Sequence, residues 1–351
     1  MGRWLAVFGL SAGTVPIENR HLLAVDPRVI SVDYDRPVKA VAYEATDHFT
    51  IQEVASLLGF ENLWAQGGTG SGINVAVIDS GTNIPVVQAM GVVDESADDL
   101  YGHGSAVIDI IQRLAPEASV YSIKALDEWG TGRLSDIIAA LGRAVEEIPR
   151  PLVVNMSLAC PPTAFDSLSY ACDIASGYHH VKIVAAAGND GLPRLPSPAR
   201  SPATVSVGAL TTSWELAPYS NYGEGLDTVA PGDMFVNWGG AGYTPMSGTS
   251  FAAPVVSAML ADYLSLHLEE EPETVDPRRT VRLASVDLGD PGWDPQYGSG
   301  VASAAGLAAI TDPPRLGAPH SGLILVILGS GALMAVLGFV MVVLQRRRRH
   351  A

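Results

Sequence analysis

Short apolar runs that end in turn residues recur through the middle of the chain. Ile73–Ile78 closes on Asp79-Ser80-Gly81. Ser119–Ala125, Pro151–Ala159, Val181–Gly191 and Ala203–Leu210 have the same character. Runs of this length, apolar at successive positions, predict strands buried on both faces. Between them lie helical patterns. Ile137, Ile138, Leu141, Val145 and Ile148 recur near one face of 134–148, which predicts an amphipathic helix. Ser105–Leu114 and the largely apolar Ser250–Leu268 predict two more. Strands alternating with helices predict a mainly parallel sheet covered on both sides, an α/β fold. The chain of 351 residues is long enough for one large core with additions. It has no internal repeat and no long low-complexity tract.

The C-terminal pattern differs. Residues 322–344 carry no charge, and a helix of that length spans roughly 33 Å, enough for a bilayer core. Gln345 and Arg346–Arg349 follow at once. The expectation is one transmembrane helix over 322–344 with a basic cytoplasmic tail over 345–351. The linker 311–321 then holds the globular part outside the cytoplasm, close to the membrane surface, in a single-pass cell-membrane protein.

Net charge is −16, and Lys39, Lys124 and Lys182 are the only lysines. Such a surface repels nucleic acid, which is excluded as a partner. Cys160 and Cys172 leave two readings open, a disulfide or two buried thiols. No histidine stands near them to make a zinc site. The acid-rich run Asp94-Glu95-Ser96-Ala97-Asp98-Asp99 has the ligand chemistry for a hard cation, but a solvated loop is the preferred reading. No metal ligand is assigned.

Three segments carry candidate chemistry. Gly248-Thr249-Ser250-Phe251-Ala252-Ala253-Pro254 places a serine between a glycine turn and a helix start. Helix N-termini offer unpaired N–H groups and a partial positive charge, which suit an oxyanion. Such a serine needs a base, and the base an orienting carboxylate. Asp79 ends a buried strand, where open α/β sheets place their sites. His103 stands between glycines in Gly102-His103-Gly104, unlike any other histidine of the chain. A fourth segment, Ala185-Ala186-Ala187-Gly188-Asn189, ends a strand on a side-chain amide.

The motifs Val77-Ile78-Asp79-Ser80-Gly81, Gly102-His103-Gly104, Ala186-Ala187-Gly188-Asn189 and Gly248-Thr249-Ser250, in that order, resemble those of the subtilases, the subtilisin-like serine proteases. The resemblance runs from about residue 63 to 307. It implies the subtilisin-like three-layer α/β fold and peptide-bond hydrolysis through an acyl-enzyme. Ser250 is then the nucleophile, His103 the general base, Asp79 the orienting carboxylate and Asn189 the oxyanion donor. Protein or peptide substrates pair with Ser157, Leu158 and Ala159, with Ala185 and Ala186 on the opposite wall of the S1 pocket. Ala159 stands where the family usually has glycine, and Ser105-Ala106 where it has Thr-His. No cofactor is implied; a structural calcium ion, common in the family, has no assigned ligands. The competing reading is a non-catalytic peptide-binding scaffold, against which the complete residue set argues.

Residues 1–38 then read as a partial prosegment whose start lies upstream of the given sequence, with Leu22–Asp33 as the end of a helix and its last strand. Self-cleavage is expected between about Val38 and Gly59. The divisions are therefore 1–38 prosegment, 39–60 linker and maturation region, 61–310 catalytic domain, 311–321 linker, 322–344 membrane helix and 345–351 tail.

Overall fold

Val75 and Val77 pack on one face of their strand while Ala76 and Ile78 pack on the other. That alternation, repeated from strand to strand, builds two cores on one sheet. The computed structural model describes residues 10–14, 29–40, 47–161, 166–316 and 339–344. In chain order come strands β1 (Leu10–Thr14), β2 (Val29–Tyr34) and β3 (Pro37–Ala40), then helices α1 (Ile51–Leu58) and α2 (Phe60–Trp64). Strands β4 (Asn74–Asp79) and β5 (Gln88–Gly91), helix α3 (His103–Leu114) and strands β6 (Ser119–Lys124) and β7 (Thr131–Arg133) follow. Helix α4 (Leu134–Glu147), strands β8 (Leu152–Met156) and β9 (Leu158–Ala159), helix α5 (Ser167–His179) and strands β10 (Lys182–Ala186) and β11 (Thr204–Leu210) come next. The rest is strands β12 (Thr228–Pro231), β13 (Asp233–Asn237) and β14 (Tyr243–Ser247), helices α6 (Thr249–Ser265), α7 (Pro277–Ala284) and α8 (Ala304–Ala308), and strand β15 (Phe339–Leu344).

Seven strands form the central sheet in the order β12-β11-β10-β8-β4-β6-β5. Every neighbouring pair is parallel. One core lies under α1, α2, α3 and α6, the other under α4 and α5. Each fully buried Val, Leu or Ile side chain contributes about 1.5–3 kcal/mol, so both faces are strongly held. The parallel arrangement brings the C-terminal ends of the strands to one edge, and Asp79 is the last residue of β4.

Three elements depart from the expectations in ways that bear on the site. Helix α3 begins at His103 itself, two residues earlier than predicted, with Gly102 as its N-cap at φ 103°. The run 151–159 is two strands broken at Ser157, whose carbonyl accepts from Ser250 Oγ at the start of α6. The stretch expected as a linker to residue 60 contains α1. Its signal was in the sequence: Thr50 and Glu53 form a capping box, and Ile51, Val54, Ala55 and Leu58 share the buried face.

The termini also differ. Among the described residues no helix is long and apolar enough to cross a membrane. Most of the predicted span, 322–338, lies outside the described residues, as does the tail from 345. Residues 339–344 are β15, paired antiparallel with β1 and β2. A strand has its carbonyls and amides bonded to neighbours, so a helix over 322–344 and this pairing exclude each other for those six residues.

Candidate active site

The turn after β4 and the start of α3 bring Asp79 against His103. Asp79 Oδ1 and Oδ2 lie 2.8 and 3.0 Å from His103 Nδ1. Both side chains are buried, and the Ser80 N–H donates to Asp79 Oδ1 at 2.7 Å. A carboxylate accepts only, so Nδ1 carries the proton and Nε2 keeps its lone pair. Among the described residues, the buried Nε2 has no hydrogen-bond partner. The rings of Phe251, Trp238 and Tyr101 surround the imidazole, with centroids 5.6, 6.0 and 6.3 Å away.

Ser250 occupies the first turn of α6, where backbone N–H groups have no intrahelical acceptor. Its Oγ donates to the Ser157 carbonyl at 3.1 Å, while Ser157 Oγ donates to the Ser250 carbonyl at 2.7 Å. The second bond has a cause four residues on. Pro254 has no N–H, so the Ser250 carbonyl lacks its helical donor, and Ser157 supplies one. Behind Ser157 stand two further polar groups that sequence reasoning missed. Asn155 Nδ2 donates to Ser157 Oγ at 2.9 Å, and Ser257 Oγ donates to Asn155 Oδ1 at 2.9 Å. The signal was an asparagine inside the apolar run Val153-Val154-Asn155-Met156, since a buried amide must be satisfied.

Asn189 follows β10 and meets the same helix start. Its Oδ1 accepts from the Thr249 N–H at 2.9 Å and from Thr249 Oγ1 at 2.7 Å. A backbone N–H only donates, so the atom facing it is the oxygen, and the amide NH₂ is turned the other way. Thr249 Oγ1 in turn accepts from the Gly188 N–H at 3.1 Å. Thr249 thereby fixes the amide's orientation.

Beside these groups runs a groove with a strand already in it. β3 lies between β7 and β9, antiparallel to both. Lys39 pairs with Ala159 and with Thr131, and Ala40 with Leu158. The Ala40 N–H donates to Gly130 O at 2.9 Å. Val38 and Ala40 turn inward, at 0% and 9% exposure, while Pro37 and Lys39 face out. The predicted substrate strand Leu158-Ala159 is thus engaged by the chain's own residues 39 and 40.

Other expected positions are placed differently. Ala185 belongs to the core under α4 and α5, Ala186 to the core under α6. Successive strand residues point to opposite faces, so these two methyls do not share one pocket wall. Ser105 is buried, and its Oγ donates to Asp99 Oδ2 at 2.7 Å. The 94–99 run is not simply a solvated loop. Asp99 is buried, and Asp94 pairs with Lys124 at 3.2 Å. Among the described residues no group of three or more His, Cys, Asp or Glu is placed to hold a metal ion. Cys160 and Cys172 are buried free thiols, and burial pushes the Cys160 thiol up to about 11.

Comparison with known proteins agrees with this geometry. The model of the subtilase family, Peptidase_S8, matches residues 70–300. An extracellular serine proteinase of Thermus sp. (strain Rt41A) is 30% identical over 282 residues, 74% of this chain and 67% of that protein. Subtilisin NAT of Bacillus subtilis subsp. natto is 34% identical over 258 residues, covering 65% of this chain and 66% of its own. M-protease of Shouchella clausii (strain KSM-K16) is 31% identical over 306 residues, covering 82% and 76%. With a serine on a helix start, a buried Asp–His pair and a groove that holds an extended strand, the chain belongs to the subtilase family and is a subtilisin-like serine endopeptidase.

Proposed function

We propose that Ser250, His103 and Asp79 carry out the hydrolysis, with Asn189 stabilising the oxyanion, in an enzyme made with its groove filled by its own residues. The observation that carries this reading is the 2.8 Å contact between Asp79 and His103 Nδ1, which leaves Nε2 as the only basic atom of the pair. Ser250 Oγ turns from the Ser157 carbonyl toward Nε2, gives up its proton and attacks the substrate carbonyl carbon. The Asn189 NH₂ and the Ser250 N–H take the developing negative charge. The imidazolium, stabilised by Asp79, returns the proton to the leaving amine, and an acyl-enzyme remains. Water, deprotonated by the same nitrogen, releases the acid. Substrates follow the path of β3, extended between 131–133 and 158–159, with apolar side chains at the two inward positions.

Residues 29–40 act as the tail of a prosegment. The described pairing stops at Ala40, and residues 41–46 lie outside the described residues. Ala40 pairs with Leu158, next in sequence to Ser157, whose carbonyl holds Ser250 Oγ. The bond cut in maturation is therefore Val41–Ala42. N-terminal sequencing of purified wild type should give Ala42, and Ser250→Ala should keep its original start. An unprocessed wild type, or equal processing of both, would refute this step.

Release of the tail depends on pH. Asp35 accepts from the Ser135 N–H and hydroxyl at 2.7 and 2.8 Å, at the start of α4. The same turn holds Asp136, whose carboxyl is raised to about 6, first by burial and then by the Asp35 charge, with Arg133 opposing. The attached tail raises this pKa, so attachment favours the protonated form. It is strongest at low pH and weakens as pH rises through about 6. After cleavage the segment should stay bound at pH about 5 and dissociate at about 7.5, and Asp136→Asn should abolish the difference. Equal retention of the wild-type segment at both values contradicts the switch.

The catalytic domain sits outside the cytoplasm on a membrane anchor at 322–344. What supports the anchor is the uncharged run followed by four arginines. Protease treatment of intact cells should remove the catalytic domain and spare a C-terminal tag. Release of wild type by salt or alkali instead would favour the strand pairing of 339–344.

A further inference from the structure

Asp99 is a buried carboxylate that the reaction itself does not use. Its two oxygens collect four donors. Oδ1 accepts from the Gly102 N–H at 2.6 Å and from Ser80 Oγ at 2.8 Å. Oδ2 accepts from the Ser105 N–H at 2.8 Å and from Ser105 Oγ at 2.7 Å. The bonds reach two separate pieces of the site. Ser80 follows Asp79, and its own N–H holds Asp79 Oδ1. Gly102 and Ser105 bracket His103 at the start of α3. Ser80 Oγ closes the link a second time by accepting from the Gly104 N–H at 2.9 Å.

Asp99 is itself held. Asn83 accepts from the Asp99 N–H at 3.1 Å and donates to its carbonyl at 2.7 Å. The Asn83 N–H donates to Ser105 Oγ at 3.0 Å. Asp99 is 3% exposed, so its charge is little screened by solvent. The loop 94–99 thus ends in a side chain that sets the position of both members of the Asp–His pair.

We propose that Asp99 is a positioning residue for the hydrolysis: it fixes the Asp79 turn and the His103 helix start in one register, and its negative charge favours the imidazolium that forms on His103. The inference rests on the reading that His103 is the base. Two physical effects follow. Proton transfer is sensitive to small displacements of the base, so slackening this link lowers kcat more than it alters substrate binding in a groove made by other strands. A fixed negative charge set against the first N–H groups of α3 offsets the positive end of that helix beside the imidazole. Removing it favours the neutral ring, so activity persists to lower pH.

Asp99→Asn separates these effects from mere packing. Either orientation of the amide sets its NH₂ against an N–H, because Gly102 donates to one oxygen and Ser105 to the other. Wild type and variant are each titrated for active sites with a fluorophosphonate, and kcat, KM and the pH profile are measured per labelled site. The expected result is a kcat lower by about tenfold to a hundredfold, KM within about twofold, and an acid limb displaced to lower pH. A variant with lowered thermal stability but kcat per site within about twofold and an unmoved limb overturns the inference. Ser80→Ala removes one of the four bonds and keeps the carboxylate; it should lower kcat by about threefold to tenfold. Should Asp99→Asn not fold, wild-type kcat in Ser80→Ala overturns the inference. His103→Ala in the same assay tests the underlying reading separately: if it labels as fast as wild type, His103 is not the base, whatever Asp99 does.

Discussion

Replacement of Ser250 by alanine ends hydrolysis and leaves the fold intact. Subtilisin, a relative, loses about 2 × 10⁶ in kcat when its nucleophile is removed, and that magnitude is taken over from it. The local structure says why no neighbour substitutes. Thr249, the adjacent hydroxyl, is bound on both sides, accepting from Gly188 and donating to Asn189. Ser157 Oγ is committed to the Ser250 carbonyl that Pro254 leaves without a helical donor. The lost Oγ makes one hydrogen bond, to Ser157 O, worth about 1 kcal/mol. The variant should therefore fold, keep residues 1–41 attached and show no turnover on a peptide built on Pro37–Val41 with a chromogenic leaving group.

Asn189→Ala is expected to lower kcat by about 10²–10³, or about 2.7–4 kcal/mol, with KM nearly unchanged; this range is again that of subtilisin. The reason is differential. The amide meets charge that exists only in the transition state, so its loss is not felt in the ground state. Steady-state kinetics of the fully processed variant check it. A rise in KM with kcat preserved would show that Asn189 binds substrate and does not stabilise the oxyanion. Thr249→Val tests the same point from behind. It removes the hydroxyl bond to Asn189 Oδ1 but keeps the backbone one, and should give a smaller loss in kcat.

The legible parts were those where one pattern answers to one force. Successive apolar positions gave buried strands, and the runs Ile73–Ile78, Ser119–Ala125 and Val181–Gly191 overlap the strands Asn74–Asp79, Ser119–Lys124 and Lys182–Ala186. Asp79, His103, Asn189 and Ser250 stand out in the sequence because each lies close to glycine in a short turn motif. The residues that hold them were not. Asp99 sat in an acidic run whose bland reading was solvation, and only the tertiary approach of Ser80, Gly102 and Ser105 buries it. Asn155 and Ser257 are 102 positions apart, and no local signal pairs them. Ala185 and Ala186 were placed on one wall through the family resemblance; a strand's alternation sends them to opposite cores. β3 was hidden for another reason. Pro37–Ala40 is too short and mixed to announce a strand, and it becomes one only because the groove supplies both partners.

The central claim is that the hydroxyl of residue 250 is made nucleophilic by the Asp79–His103 pair. Labelling of the processed enzyme with a fluorophosphonate, followed by peptide mapping, tests it most directly. The account predicts a single modified residue, Ser250, and loss of labelling in His103→Ala. A label on another residue, or undiminished labelling after replacement of Ser250 by alanine, would contradict it.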